Sequence, residues 1–201
     1  MSYKDKLATY QGDCKILLGS KTLFSDYIKE FSANTFKNNH GLDLGTGPGG
    51  CNSKFFNCIL DGCDAEPEVV SNLKENQYNK KFVFILGKDI LPYEDETLDF
   101  VVCSCVIQHL NGIDELMNGI KEISRVLKVG GFLYLMYKVG SHGTKLTHYN
   151  EYYNEERTFQ VFSTDKVNFG AKHYSLNTFC WEYLLDDNYI PYSRTIFQKT
   201  L

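Results

Sequence analysis

The chain has 201 residues, of which 43% are hydrophobic and 23% charged, with a formal net charge of -4. That length and composition suit one globular unit able to bury a full core around a sheet. A mildly acidic balance without any Lys/Arg run argues against general attraction to nucleic acid or to an anionic membrane.

Lys4, Asp5, Lys6, Asp13 and Lys15 break up the first thirty residues, so no signal-peptide pattern is expected. No stretch approaches the roughly 20 apolar residues that span a bilayer. The seven cysteines (Cys14, Cys51, Cys58, Cys63, Cys103, Cys105 and Cys180) are odd in number and form no Cys-x-x-Cys pair. They read as reduced thiols without a metal site or disulfide framework, which places the protein in the cytoplasm as an expectation.

In chain order, Leu23, Tyr27, Ile28 and Phe31 recur at helical spacing, and residues 1–38 are expected to form a helical cap. From residue 39 the rhythm changes to short apolar runs alternating with helical segments. Strands are expected at 41–44, 58–63, 82–86, 98–105 and 132–137. Pro67 suits the first turn of a helix through Val69, Val70 and Leu73. Ile113, Leu116, Met117, Ile120, Ile123 and Leu127 form one apolar stripe, with Gly130-Gly131 as its expected stop. After Lys138 a polar loop over 140–154 leads to a strand at 157–163. A helix capped by Ser175 and an alternating strand at 192–199 complete the chain. No repeat or linker divides it, so one unit is expected: the cap, a core over 39–138, and C-terminal strands and helix over 139–201. The alternation predicts a doubly wound α/β fold, mostly parallel, with helices on both faces and an antiparallel C-terminal edge strand.

The chemistry concentrates at Gly41-Leu42-Asp43-Leu44-Gly45-Thr46-Gly47-Pro48-Gly49-Gly50, an apolar strand entering a tight turn. Glycines there permit positive φ and let a ligand approach the backbone. Gly45, Gly47 and Gly50 also satisfy the dinucleotide pattern G-x-G-x-x-G, so the turn alone does not choose between cofactors. Asp64 stands about twenty residues on, at a strand end where a carboxylate can accept from both ribose hydroxyls. Asp89 and Ile90 supply a second acid and an apolar neighbour at the same sheet edge, suited to an adenine amino group and ring. A solvated strand-end carboxylate is the plain alternative for each acid.

With these residues the chain resembles the class I, Rossmann-like S-adenosylmethionine-dependent methyltransferases. The resemblance extends through Gly62-Cys63-Asp64-Ala65-Glu66-Pro67-Glu68, Asp89-Ile90, the run from Leu91-Pro92 to Asp99-Phe100-Val101-Val102, Ile107-Gln108-His109-Leu110, and Ile123-Ser124-Arg125-Val126-Leu127-Lys128-Val129-Gly130-Gly131. It covers about residues 41–138. It departs from the family at Val129, where proline is usual, and in the short loop between Asp89 and Pro92. The resemblance implies S-adenosylmethionine as cofactor. Its methionine end would lie on Asp43 and the turn (Gly45, Thr46, Gly47, Pro48, Gly49), its ribose on Asp64 beside Ala65, and its adenine on Asp89 and Ile90. Backbone from Cys103 and Ser104 to Val106 would line the sulfonium region.

Methyl transfer from a sulfonium is an in-line displacement that needs alignment and a dry site more than a fixed set of catalytic groups. His109, Tyr137 and His142 are the candidates nearest the expected acceptor, each with packing or solvation as the plain reading. Lys138 and His148 flank the same loop. Tyr149, Tyr152 and Tyr153 would wall an aromatic pocket or cover a sheet edge, and Tyr10, Phe24 and Tyr27 would sit on a lid. A small-molecule acceptor is expected; no nucleic acid or membrane partner is indicated. One alternative is a nicotinamide-dependent oxidoreductase, favoured by the glycine pattern and by Tyr134-Leu135-Met136-Tyr137-Lys138, which spells Tyr-x-x-x-Lys. That motif works from a helix, whereas here it falls in a period-two run. A non-catalytic methyltransferase-like binding protein is the other alternative.

Overall fold

The computed structural model describes residues 39–50, 52–53, 56, 58–141, 143–150, 155–185 and 190–201. The expected helical cap, including Tyr10, Phe24 and Tyr27, lies outside these residues, as do His142, Tyr152 and Tyr153.

Seven strands form the central sheet. They are β1 (His40–Leu44), β2 (Ile59–Asp64), β3 (Lys81–Val83), β4 (Leu98–Ser104), β5 (Leu127–Lys138), β8 (Leu176–Leu185) and β9 (Pro191–Lys199). Their order is β3-β2-β1-β4-β5-β9-β8. Pairs among β1 to β5 are parallel, whereas β9 runs antiparallel to both β5 and β8. The last strand therefore enters between β5 and the edge strand β8. Reversal between β2 and β3 on one side and β4 and β5 on the other makes β1/β4 the switch point, where open α/β sheets bind ligands at the carboxyl edge.

The central strands β1 and β4 are apolar runs because both faces are buried. Along β5, Leu133, Leu135 and Tyr137 pack on one face with Leu42, Leu44, Val101 and Cys103. Tyr134 and Met136 face the other way with Leu60, Phe100 and Val102. Helix α1 spans Pro67–Asn72, with Pro67 in its first turn as expected. Helix α2 (Ile113–Val126) buries Leu116, Ile120 and Ile123 against the first face, and α3 (Thr164–His173) adds Val167 and Ala171. No helix among the described residues is long and apolar enough to cross a membrane.

Several boundaries differ from expectation. Helix α2 stops at Val126, so Gly130-Gly131 lies inside β5 rather than ending the helix. The third strand shrinks to Lys81–Val83. Part of the expected polar loop is strand β6 (Lys145–Asn150), which pairs antiparallel with β7 (Glu155–Gln160) as a separate hairpin. The helix expected after Ser175 comes before it, capped by Ser163, whose side chain accepts from the Lys166 N–H. Ser175 itself has φ +61, and the Thr178-to-Leu185 run after it continues as strand. Phe179, Trp181 and Tyr183 favour a pleated surface, and β9 supplies the partner that decides it.

Candidate cofactor and acceptor site

The chain leaves β1 at Leu44 and turns at once. Gly45, Gly47, Gly49 and Gly50 have φ of +78, +60, +88 and +57, the left-handed region that side chains resist. Gly45 has a second reason to be glycine, because a Cβ there would lie 2.2 Å from Val106 Cγ2. The turn is lashed to β2: the N–H groups of Gly45 and Thr46 donate to the Cys63 carbonyl at 2.8 and 3.0 Å. The Gly47 N–H donates to Asp64 Oδ2 at 2.9 Å. These three N–H groups therefore build the turn, and the exposed crest is left to Gly49.

Asp43 is fully buried beneath it. Its Oδ2 accepts from the Tyr78 hydroxyl at 2.6 Å and its Oδ1 from the Asn52 amide at 2.8 Å. Burial raises its pKa from 3.8 to about 6, against the lowering effect of those two bonds and with a further push from Asp64. Both oxygens are engaged inside the protein, so Asp43 acts on the turn from below. Asn52 and Tyr78 were not legible in the sequence, since neither falls in a motif.

Asp64 ends β2 half-buried. It holds the turn through Gly47 and caps the next segment through the Glu66 N–H, at 3.1 Å to Oδ1. Burial raises its pKa, partly offset by the backbone N–H groups of Glu66, Gly47 and Ala65. Ala65 is exposed beside it. Asp89 is also exposed, and its Oδ2 accepts from the Ile85 N–H at 2.8 Å, which shapes the loop after β3. Ile90 leaves 80% of its surface in solvent, far more than a packing role needs.

At the end of β4, Cys103 is a core residue whose thiol is pushed up by burial and then by Asp43. Ser104 brings a buried hydroxyl that has no partner among the described residues. Cys105 follows at φ +59, a costly conformation for a residue with a Cβ, and its N–H donates to Met136 at 2.8 Å. A 3₁₀ turn, Ile107–His109, then meets β7, where the His109 and Phe159 rings pack edge to face at 5.3 Å. Although His109 keeps an exposed surface, desolvation of the ring and then the cations Arg157 and Lys138 lower its pKa from 6.5 to about 4. Tyr137 lies in the core rather than at the site mouth. Lys138, by contrast, closes β5 beside the 3₁₀ turn, its N–H donating to Gln108 Oε1 at 3.2 Å.

The loop before β4 is fixed from α2. Arg125 donates to the carbonyls of Tyr93 and Leu91 at 2.8 and 3.2 Å and to Asp95 and Glu122 at 2.8 and 2.7 Å. These bonds tie the loop that holds Leu91, Tyr93 and Asp95 to the end of α2.

The residues fit S-adenosylmethionine. A Cβ at Gly47 or Gly49 would meet nothing within 4 Å, so a ligand can lie against the backbone there. Among the described residues the buried Thr46 and Ser104 hydroxyls have no partner, which leaves two polar groups for a ligand to satisfy. The Tyr-x-x-x-Lys spelling of an oxidoreductase does not hold, because Tyr134 and Lys138 lie on one strand, about 13 Å apart along it.

Residues 42–135 match the family model described as a methyltransferase domain. The human thiol S-methyltransferase TMT1A is 28% identical over 129 residues, 60% of this chain, and the chain spans half the length of that relative. Among solved structures, an S-adenosylmethionine-dependent methyltransferase from Methanosarcina mazei is similar with a TM-score of 0.64 at 18% identity, over 82% of this chain and 94% of its own. The 1,6-didemethyltoxoflavin-N1-methyltransferase of Burkholderia thailandensis, solved with 1,6-didemethyltoxoflavin and S-adenosylhomocysteine bound, gives a TM-score of 0.64 at 13% identity, over 98% of this chain and 87% of its own. At such identities these structures speak for the fold alone, and the family match carries the rest. Residues 42–135, just under half of the chain, thus match a methyltransferase domain, and the fold is that of the Rossmann-like S-adenosylmethionine-dependent methyltransferases.

Proposed function

We propose that this protein transfers the methyl group of S-adenosylmethionine to a small-molecule acceptor, with a thiol as the first acceptor class to test. The observation that carries the reading is the glycine turn fastened to Asp64, with the unpartnered Thr46 and Ser104 hydroxyls at the same sheet edge. S-adenosylmethionine supplies an electrophilic methyl. The turn and Asp64 hold its methionine and ribose parts, Asp89 and Ile90 flank its adenine, and the backbone from Cys103 to Val106 lines its reacting end. The human relative is a thiol S-methyltransferase, which makes thiols the first class to test. The described cysteines are all free, in keeping with a cytoplasmic setting.

His109 is a poor general base with a pKa near 4, so an acceptor that ionises near neutral pH is favoured over an alcohol. Incubation with methyl-labelled S-adenosylmethionine and a panel of thiols, amines and phenols tests the reading. Label is expected in a thioether product. Cofactor binding without label in any acceptor would favour a non-catalytic binding protein.

A further inference from the structure

Lys138 is buried and, among the described residues, forms no ion pair with a carboxylate. Only 5% of its surface is open. Its Nζ donates to the Tyr192 hydroxyl. It also lies 4.4 Å from the Tyr192 ring centroid and 5.0 Å from that of Phe159. An ammonium carries three N–H donors, and among the described residues only the Tyr192 hydroxyl accepts one of them. Two aromatic faces attract a cation, yet a buried charge is fully compensated only by a counter-charge.

Its position links it to methyl transfer. Ser104 pairs with Met136, and Lys138 follows two residues later on the same face of the sheet. The unpartnered Ser104 hydroxyl and the Lys138 ammonium therefore stand on one face at the carboxyl edge. The 3₁₀ turn, tied to Lys138 through Gln108, and the β7 residue Phe159 complete the surroundings. The sheet and the hairpin thus meet around a cation.

We propose that Lys138 binds the acceptor's nucleophile as an anion, the thiolate of a small thiol, with Tyr192 beside it and Phe159 as a wall, and that it discriminates against amines. This rests on the methyl-transfer reading above. An amine attacks as a neutral group and becomes cationic, which a neighbouring ammonium opposes. A thiol, with an ordinary pKa of about 8.5, reaches its anion without a strong base. Its proton leaves to solvent before attack. The thiolate electron pair forms the new S–CH₃ bond as the sulfonium S–CH₃ bond breaks, and the breaking pair stays on the departing sulfur. The product is a neutral thioether, so its hold on Lys138 weakens once transfer is complete.

Calorimetry on the full chain loaded with S-adenosylhomocysteine tests this, with thiophenol and aniline as probes of one shape and different charge. The wild type is expected to bind thiophenol, with the ultraviolet band of the thiolate, and to bind aniline at least ten-fold more weakly. Lys138→Met is expected to lose ten-fold or more in thiophenol affinity while S-adenosylhomocysteine affinity stays within two-fold. Lys138→Gln, which keeps a polar end, serves if the methionine variant melts early, and the same loss is expected. Equal thiophenol affinity in the wild type and a folded variant, or a wild type that prefers aniline or ignores both probes, would overturn the assignment. Failure of S-adenosylhomocysteine to bind at all is a separate result, because it removes the underlying reading as well.

Discussion

The Tyr78 hydroxyl donates to Asp43 Oδ2 at 2.6 Å, joining the loop before β3 to the strand that carries the glycine turn. The same ring lies under Gly50, where a Cβ would come within 2.8 Å of it. One side chain thus holds the buried carboxylate and sets the floor of the turn. Tyr78→Phe keeps the ring and removes the bond, and should cost about 1.5–3 kcal/mol, the range for a hydrogen bond to a charged group. The folded pKa of Asp43 is raised from 3.8 to about 6, so the folded state binds the extra proton and stability from this group falls as pH rises across that window. The hydroxyl eases that loss, so the penalty of Tyr78→Phe in urea unfolding should be larger at pH 8 than at pH 5. Equal penalties at the two pH values would contradict the assignment.

Asp61 acts with the opposite sign. It accepts from His40 Nε2 at 2.7 Å, the Tyr93 hydroxyl at 2.8 Å, the Asn79 amide at 2.9 Å and the Lys80 N–H at 3.0 Å. Desolvation opposes these bonds and the nearby His40, yet the net result is a pKa below 3.8. Its contribution is complete above the unfolded value and is lost as pH falls through the folded one. Asp61→Asn should therefore flatten the acid limb of the stability profile below about pH 4, and an unchanged acid limb would rule the network out as its source.

Gly45→Ala should destabilise the protein more than Gly143→Ala. Both glycines have positive φ, +78 and +84, but only at Gly45 does a Cβ meet an atom, 2.2 Å from Val106 Cγ2. The shared cost is about 1–2 kcal/mol of left-handed backbone strain, and the excess at Gly45 measures how closely β4's end abuts the turn. Thermal melts of the two variants compare them directly, and equal losses would mean that Val106 moves aside freely.

Much of the fold was legible because parallel strands buried on both faces write themselves as apolar runs, as at β1 and β4. The place of Asp64 was legible for the same reason, since it ends β2, whereas Asp89 lies in the loop six residues past the short β3. The C-terminal third was harder. Ser175 looked like a cap, yet its positive φ and the partnership of β8 with β9 depend on a strand more than ten residues away. The roles of Asn52, Tyr78 and Tyr192 were invisible because each reaches its partner across 9, 35 or 54 residues without any local pattern. Asp43 shows the limit most clearly: its place in the motif was plain, but not that both its oxygens are held from inside.

Asp64→Ala removes the acceptor of the Gly47 N–H and the acid proposed to hold the ribose. Affinity for S-adenosylhomocysteine should fall at least ten-fold, while Asp89→Ala, at an exposed carboxylate, should cost less. Full affinity in the Asp64 variant would remove that residue from the cofactor site.

The most direct test of the account is calorimetric titration of the full chain with S-adenosylmethionine, S-adenosylhomocysteine and NAD. One-to-one binding of the first two and no heat with NAD is the predicted result. Saturable NAD binding with no response to S-adenosylhomocysteine would contradict it.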